Sequence, residues 1–296
     1  MFFEKETNMI AEVKPFFDAN SNTISYIVRD PQSRHAAIID SVLGFDYASG
    51  TIMYTQAEDI IKYVESEQLI IDWHVETHIH ADHISAAPYL QERCGGLIAI
   101  SEHIVDVQQT FGKFFNAGTE FKRNGDQFDK LFKDQDIFMI GSLEAKCIHT
   151  PGHTPACMTY FIGDSAFVGD TLFMPDGGTA RADFPGGNAK CLFHSIQNIL
   201  ALPDNTRIFV CHDYMPGGRD FSYETSVKAQ KRHNIHVKVG ISESEFVTMR
   251  EARDASLTLP DLIMPSIQLN MRAGKMPPPE NNGETYLKIP LSGLKI

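Results

Sequence analysis

Apolar residues along the chain fall into short runs of two kinds. Residues 23–28 and 36–40 are rich in Ile, Val, Thr and Tyr and flank Asp30-Pro31-Gln32-Ser33, which predicts an antiparallel hairpin. Further strand-like runs cover 97–100, 143–148, 158–162, 166–168 and 207–211. The second kind has helical spacing. Ile60, Ile61 and Val64 share one face within 57–67, and 84–94 predicts a helix that stops at Gly95-Gly96. Residues 190–202 predict another helix, stopped by Pro203, and 243–253 a further one. Strands and helices interleave, so the class is mixed α and β.

One stretch breaks the pattern. In 106–136 the residues Phe111, Phe114, Phe115, Phe121, Phe128 and Phe132 alternate with Lys, Asp, Gly and Asn and follow neither period. It reads as a long insertion that packs its aromatics on the core, covers the site or meets another subunit. A homodimer contact at the mouth of the site is the expectation carried forward. Beyond 215 the chain is more polar and ends through Pro277-Pro278-Pro279, so 1–296 is read as one domain with an extension over about 215–296.

At 296 residues and 43% hydrophobic, the chain can bury a sizeable core. A formal charge of −12 argues against nucleic acid and against an anionic membrane surface. Met1-Phe2-Phe3-Glu4-Lys5-Glu6 has no basic then apolar leader pattern, and no run of about 18 apolar residues spans a membrane. The cysteines, Cys94, Cys147, Cys157, Cys191 and Cys211, are odd in number and form no C-x-x-C pair. Free thiols in a reducing cytoplasm are expected.

The chemistry concentrates in Thr77-His78-Ile79-His80-Ala81-Asp82-His83, which follows the apolar run 69–75. In extended chain His78 and His80 face one side. Asp82 and His83 lie just past the strand end, where the backbone can turn them to the same point. Imidazoles and a carboxylate suit Zn or Fe better than Ca or Mg. Three more such residues sit just past strand-like runs: His153 after 147–152, Asp170 after 167–169 and His212 after 209–211. Gly152 and Gly169 permit tight turns there. His149 precedes its turn and reads as structural, as do His35, His74, His103, His194, His233 and His236.

The set His78-x-His80-x-Asp82-His83, Pro151-Gly152-His153-Thr154, Gly169-Asp170-Thr171 and Cys211-His212-Asp213 resembles the metallo-β-lactamase superfamily. The resemblance runs from about Thr23 to Asp213 and implies an αββα sandwich with the metal site at one sheet edge. Residues 150–154 and 168–173 resemble the branch that holds glyoxalase II and the persulfide dioxygenases. Gly178-Thr179-Ala180-Arg181-Ala182-Asp183-Phe184 resembles a Gly-Arg-x-Asp-Phe segment of the latter, apart from Thr179-Ala180. Leu269-Asn270-Met271-Arg272 is similar to that group's tail, and the whole chain to bacterial β-lactamase hydrolase-like proteins.

That resemblance implies one Fe(II) per chain on His78, His153 and Asp170, with glutathione persulfide and O₂ as substrates. His80, Asp82, His83 and His212 would then orient the ligands. Arg181, or less directly Arg272, would anchor a substrate carboxylate, and Tyr214 would donate a hydrogen bond near the metal. The alternative uses the same residues for two Zn, or mixed Zn and Fe. His78, His80 and His153 would hold one metal, Asp82, His83 and His212 the other, with Asp170 bridging, for hydrolysis of a thioester or lactone.

Overall fold

The computed structural model describes residues 9–291 and Gly293. The N-terminal segment read above as leaderless lies outside the described residues.

Two six-stranded sheets carry the fold. The first has the order β1 (Glu12–Asp18), β2 (Thr23–Arg29), β3 (His35–Ile39), β6 (Ile70–Val75), β8 (Leu97–Ser101), β9 (Lys130–Phe132). The second runs β10 (Ile137–Ile140), β11 (Leu143–His149), β12 (Met158–Ile162), β13 (Ser165–Phe167), β14 (Arg207–Phe209), β15 (Glu224–Ser226). A small sheet of β4 (Val42–Asp46), β5 (Thr51–Met53) and β7 (Ile84–Ser85) stands beside them. The helices are α1 (Thr55–Ser66), α2 (Ala87–Cys94), α3 (Ile104–Phe114), α4 (Ala189–Leu200), α5 (Val227–His233), α6 (Glu243–Asp254) and α7 (Ile263–Asn270).

Strand alternation explains the layers. In β2 and β3, Ile24, Tyr26, Val28, Ala37 and Ile39 join Ala145, Cys147, Tyr160 and Ile162 of the second sheet in the central core. The intervening Ile27, Ala36 and Ile38 meet Ile60, Ile61 and Val64 of α1 on the outer face. Residues buried on both faces give the near-continuous apolar runs seen in the sequence. The β2–β3 pair is antiparallel as expected, with Tyr26 opposite Ile39. β13 and β14 are parallel, and α4 makes the crossover between them.

Several features depart from the sequence reading. Residues 84–85 pair with β4, so the helix there starts only at Ala87. β1 was not anticipated: Pro15 interrupts its pattern, which an edge strand tolerates. α7 was missed because it is buried all round and shows no polar face. The stretch 106–136 is not irregular throughout, since α3 and β9 fall in it. A buried Gln108 masks the helical period by standing on the apolar face of α3, where its side chain donates to Met271 O. Phe111, Phe115, Phe121 and Phe128 are buried with Ile98, Ile100 and Ile267 of α7, whereas Phe114 is half-buried. These aromatics form the layer outside the first sheet.

Candidate metal centre

The metal-type residues meet where β3, β6, β13 and β14 end. Residues 76–83 are not extended as expected; they form a bent loop that still brings the His78 and His80 rings to 4.1 Å. Asp40, at the end of β3 with φ +51°, holds this loop. One Asp40 oxygen accepts from Thr77 N at 2.7 Å and the other from Thr77 Oγ1 at 2.7 Å. Asn270 at the end of α7 fixes the far side, donating to His80 O (2.9 Å) and His83 O (2.8 Å). Glycine is required twice. A Cβ on Gly169 (φ +50°) would lie 2.5 Å from Thr77 Oγ1, and one on Gly152 (φ +143°) 2.3 Å from the Leu192 backbone.

Each imidazole uses one nitrogen on the protein. His153 Nδ1 donates to Arg181 O at 2.7 Å, and His212 Nδ1 to Asn22 O at 3.2 Å. His78 Nδ1 lies 3.0 Å from Thr77 Oγ1, and His83 Nδ1 lies 3.2 Å from Asp82 Oδ2. The opposite nitrogens face inward. His78 Nε2 and His153 Nε2 stand 3.9 and 3.6 Å from Asp170 Oδ2, and His212 Nε2 stands 3.3 Å from Asp170 Oδ1. His80 is turned round, with Nε2 at 3.0 Å from Asp40 and 3.3 Å from Glu76.

Within this cluster the buried His83 Nε2, His80 Nδ1 and Asp170 Oδ1 have no hydrogen-bond partner among the described residues. Buried polar groups rarely go unpartnered, so this set fits a cation. His78, His153 and Asp170 offer ligand atoms within 4.8 Å of one another; so do His80, Asp82 and His83. Burial and the neighbouring imidazoles hold His78 well below its ordinary pKa, which keeps it neutral for ligation. Burial opposes charge on Asp82, yet His83 and His212 keep its carboxyl well below the usual range. Cys211 also adjoins Asp170, but burial and then Asp40 raise its thiol well above the usual range.

A cavity of about 890 Å³ opens over Asp82, His83, His153, Asp170 and His212. The β4–β5 turn and residues 257–262 form its walls, with exposed Tyr47, Leu257 and Leu259 at the rim. Tyr214 stacks on His212 with 5.7 Å between rings. Arg181 lines the cavity, but its guanidinium is engaged by Asp183 (2.7 Å) and by Thr258 O (2.6 Å). Arg250 is likewise taken up by Asp254 and Thr179 O. Arg253 is the one lining arginine whose guanidinium makes no hydrogen bond or ion pair among the described residues. Arg272 belongs to a different cavity. His149 stays outside: it stacks on His103 at 4.2 Å and reaches Pro155 O.

A family model described as the metallo-beta-lactamase superfamily matches residues 21–212. The chain belongs to the metallo-β-lactamase superfamily. It is 50% identical to a "probable metallo-hydrolase" of Burkholderia pseudomallei, over 95% of this chain and 99% of the relative. It is 28% identical to the mitochondrial persulfide dioxygenase ETHE1 of Bos taurus, over 90% of each chain. The crystal structure of ETHE1 from Myxococcus xanthus superposes with a TM-score of 0.70 at 30% identity, covering 90% of this chain and 100% of that one. The fold expectation therefore holds, with both sheets and the superfamily's metal-type residues in place. No helix among the described residues is long and apolar enough to cross a membrane.

Within this superfamily site, Asp40, Glu76 and Thr23 were not anticipated from sequence, and Asn270 entered only as part of the tail motif 269–272. Asp40 had a visible signal, a carboxylate just past the apolar run of β3. The others gain meaning only from long-range contacts.

His236 braces the same region. Its Nδ1 accepts from Thr179 N at 3.0 Å, beside the loop whose Arg181 carbonyl orients His153. Burial lowers its pKa to about 4, and Arg250 and Arg253 add to the effect. A depressed histidine pKa means that the unfolded chain binds the proton first. The contribution is full above about pH 6.5 and is lost as pH falls toward 4. His236→Gln should therefore flatten the fall in melting temperature between pH 7 and pH 5.

Proposed function

We propose that this protein oxidises glutathione persulfide with O₂ at a single iron, releasing sulfite and glutathione. The observation that carries this is the cluster of His78, His153 and Asp170, two imidazoles and one carboxylate beside an open cavity. The similarity to ETHE1 proteins across 90% of the chain supports it. The overall change is RSSH + O₂ + H₂O → RSH + SO₃²⁻ + 2H⁺, in which the outer sulfur loses four electrons to O₂. Bound iron would supply the activation of O₂.

The chain's residues supply positioning and proton transfer. Asp82 keeps the proton on His83 Nδ1 and leaves Nε2, which has no other partner, to take the persulfide proton. The carbonyl of Arg181 holds the His153 ring in register through Nδ1. With Arg181 committed to Asp183 and Thr258, the free guanidinium of Arg253 meets a glutathione carboxylate at the rim. Arg253→Ala should raise KM for glutathione persulfide about 3–10-fold with kcat nearly unchanged, as suits an exposed charge pair. If Arg181→Ala raises KM and Arg253→Ala does not, the anchor is Arg181.

A second reading has its own support. Asp170 turns one oxygen to His78 and His153 and the other to His212, as a carboxylate bridging two metals would. The relative at 50% identity is named a metallo-hydrolase. Metal analysis of protein purified without added metal separates the two. About one iron per chain with persulfide-dependent O₂ uptake supports the dioxygenase; about two metals, with thioester cleavage and no O₂ uptake, supports the hydrolase.

A further inference from the structure

Arg272 follows α7 and lies in a second cavity of about 220 Å³ that shares no lining residue with the metal-facing one. Its side chain is only 12% exposed. Among the described residues none of its five donors makes a hydrogen bond to the protein, and Nε is sealed from solvent without a partner. The nearest carboxylate, Glu120, is 3.9 Å away and about half exposed, at 52%. Phe121 supports the face of the guanidinium at 4.3 Å and leaves its edge free. A buried cation with one long ion pair and no hydrogen bond is costly, so this edge calls for a closer anion.

We propose that this cavity binds a small organic monocarboxylate, held edge-on by Arg272. Two coplanar oxygens match two guanidinium N–H groups. Phe115, Met271 and Pro277–279 offer walls for a short carbon chain. Glu120 and Glu280 also line the cavity and would repel a dianion such as phosphate. Lys288 adds a second cation, with its ammonium donating to Asn116 O. The pocket is mechanically connected to the metal loop. Asn270, two residues before Arg272, carries His80 O and His83 O, and Met271 O accepts from Gln108. Occupancy stiffens the end of α7 and with it the loop.

The test is titration calorimetry and thermal melting of the metal-loaded full chain with butyrate, acetate and inorganic phosphate at matched ionic strength. Saturable butyrate binding with a raised melting temperature is expected, with phosphate weaker. Arg272→Gln and Arg272→Lys should each weaken butyrate at least tenfold, and Glu120→Gln should tighten it. Asp170→Ala should still bind butyrate saturably, which separates this cavity from the metal. The proposal is overturned by absence of saturable binding, by butyrate affinity unchanged in Arg272→Lys, by loss of binding in Asp170→Ala, or by phosphate binding more tightly than butyrate. Should Arg272→Gln not fold, the Lys and Glu120 variants decide. A Glu120→Gln protein that is merely less stable, with unchanged butyrate affinity, identifies Glu120 as the internal partner and overturns the site.

Discussion

Asp170→Ala is expected to strip the protein of bound metal and of activity together. Among the described residues its carboxylate is the one group that faces His78, His153 and His212 at once. No neighbouring acid replaces it, because Asp82 is already paired with His83 and Thr23. His78→Ala and His153→Ala should lose the metal as well. His83→Ala and His212→Ala should retain most of it while losing about 10–100-fold in activity, the usual size for groups that act around a metal rather than on it. Metal content measured on the five variants, beside O₂ uptake, is the check. Equal loss in all five would mean two metals.

Asp40→Ala should have the largest effect on stability, although Asp40 does not line the open cavity. Its carboxylate accepts from Thr77 N and Thr77 Oγ1, meets His80 Nε2 at 3.0 Å and receives the Cys211 thiol at 3.6 Å. Burial opposes its charge, and His80 with Thr77 pulls the pKa down again. Removing one partner of such a buried pair costs about 3–5 kcal/mol. Urea unfolding of metal-free protein should show that loss, and Asp40→Asn, which keeps an acceptor for Thr77, should lose less. An Asp40→Ala protein as stable as the parent would show that Thr77 and His80 find other partners.

The contrast between these two aspartates shows what the sequence could reveal. Asp170, His153 and His212 were legible because each stands just past a strand in a short turn, so local pattern and chemistry coincide. Asp40 has the same placement, but a lone carboxylate after a strand carries no motif to mark it. Arg181 shows what local pattern leaves out. As the basic residue of a Gly- and Asp-containing segment it reads as a substrate anchor, and only the fold shows that Thr258, 77 residues away in sequence, takes one of its donors. The main sheets were legible where alternation or continuous apolar runs persisted. β10 and α7 were not, the first because it is a short edge strand and the second because full burial erases periodicity. In α3 a single buried glutamine was enough to hide the register.

Asn270 has a bearing on how portable this site is. Every metal-type residue lies at or before position 212, where the family match ends. The two carbonyls that keep His80 and His83 in place are nevertheless tied to a side chain 58 positions beyond that limit, as 270 − 212 gives. A graft or truncation that preserved all the ligands but cut the chain at the family boundary would carry a complete inventory on an unfinished scaffold. The inherited catalytic module and the physical unit that makes it work thus have different ends, and recombination at the first would break the second.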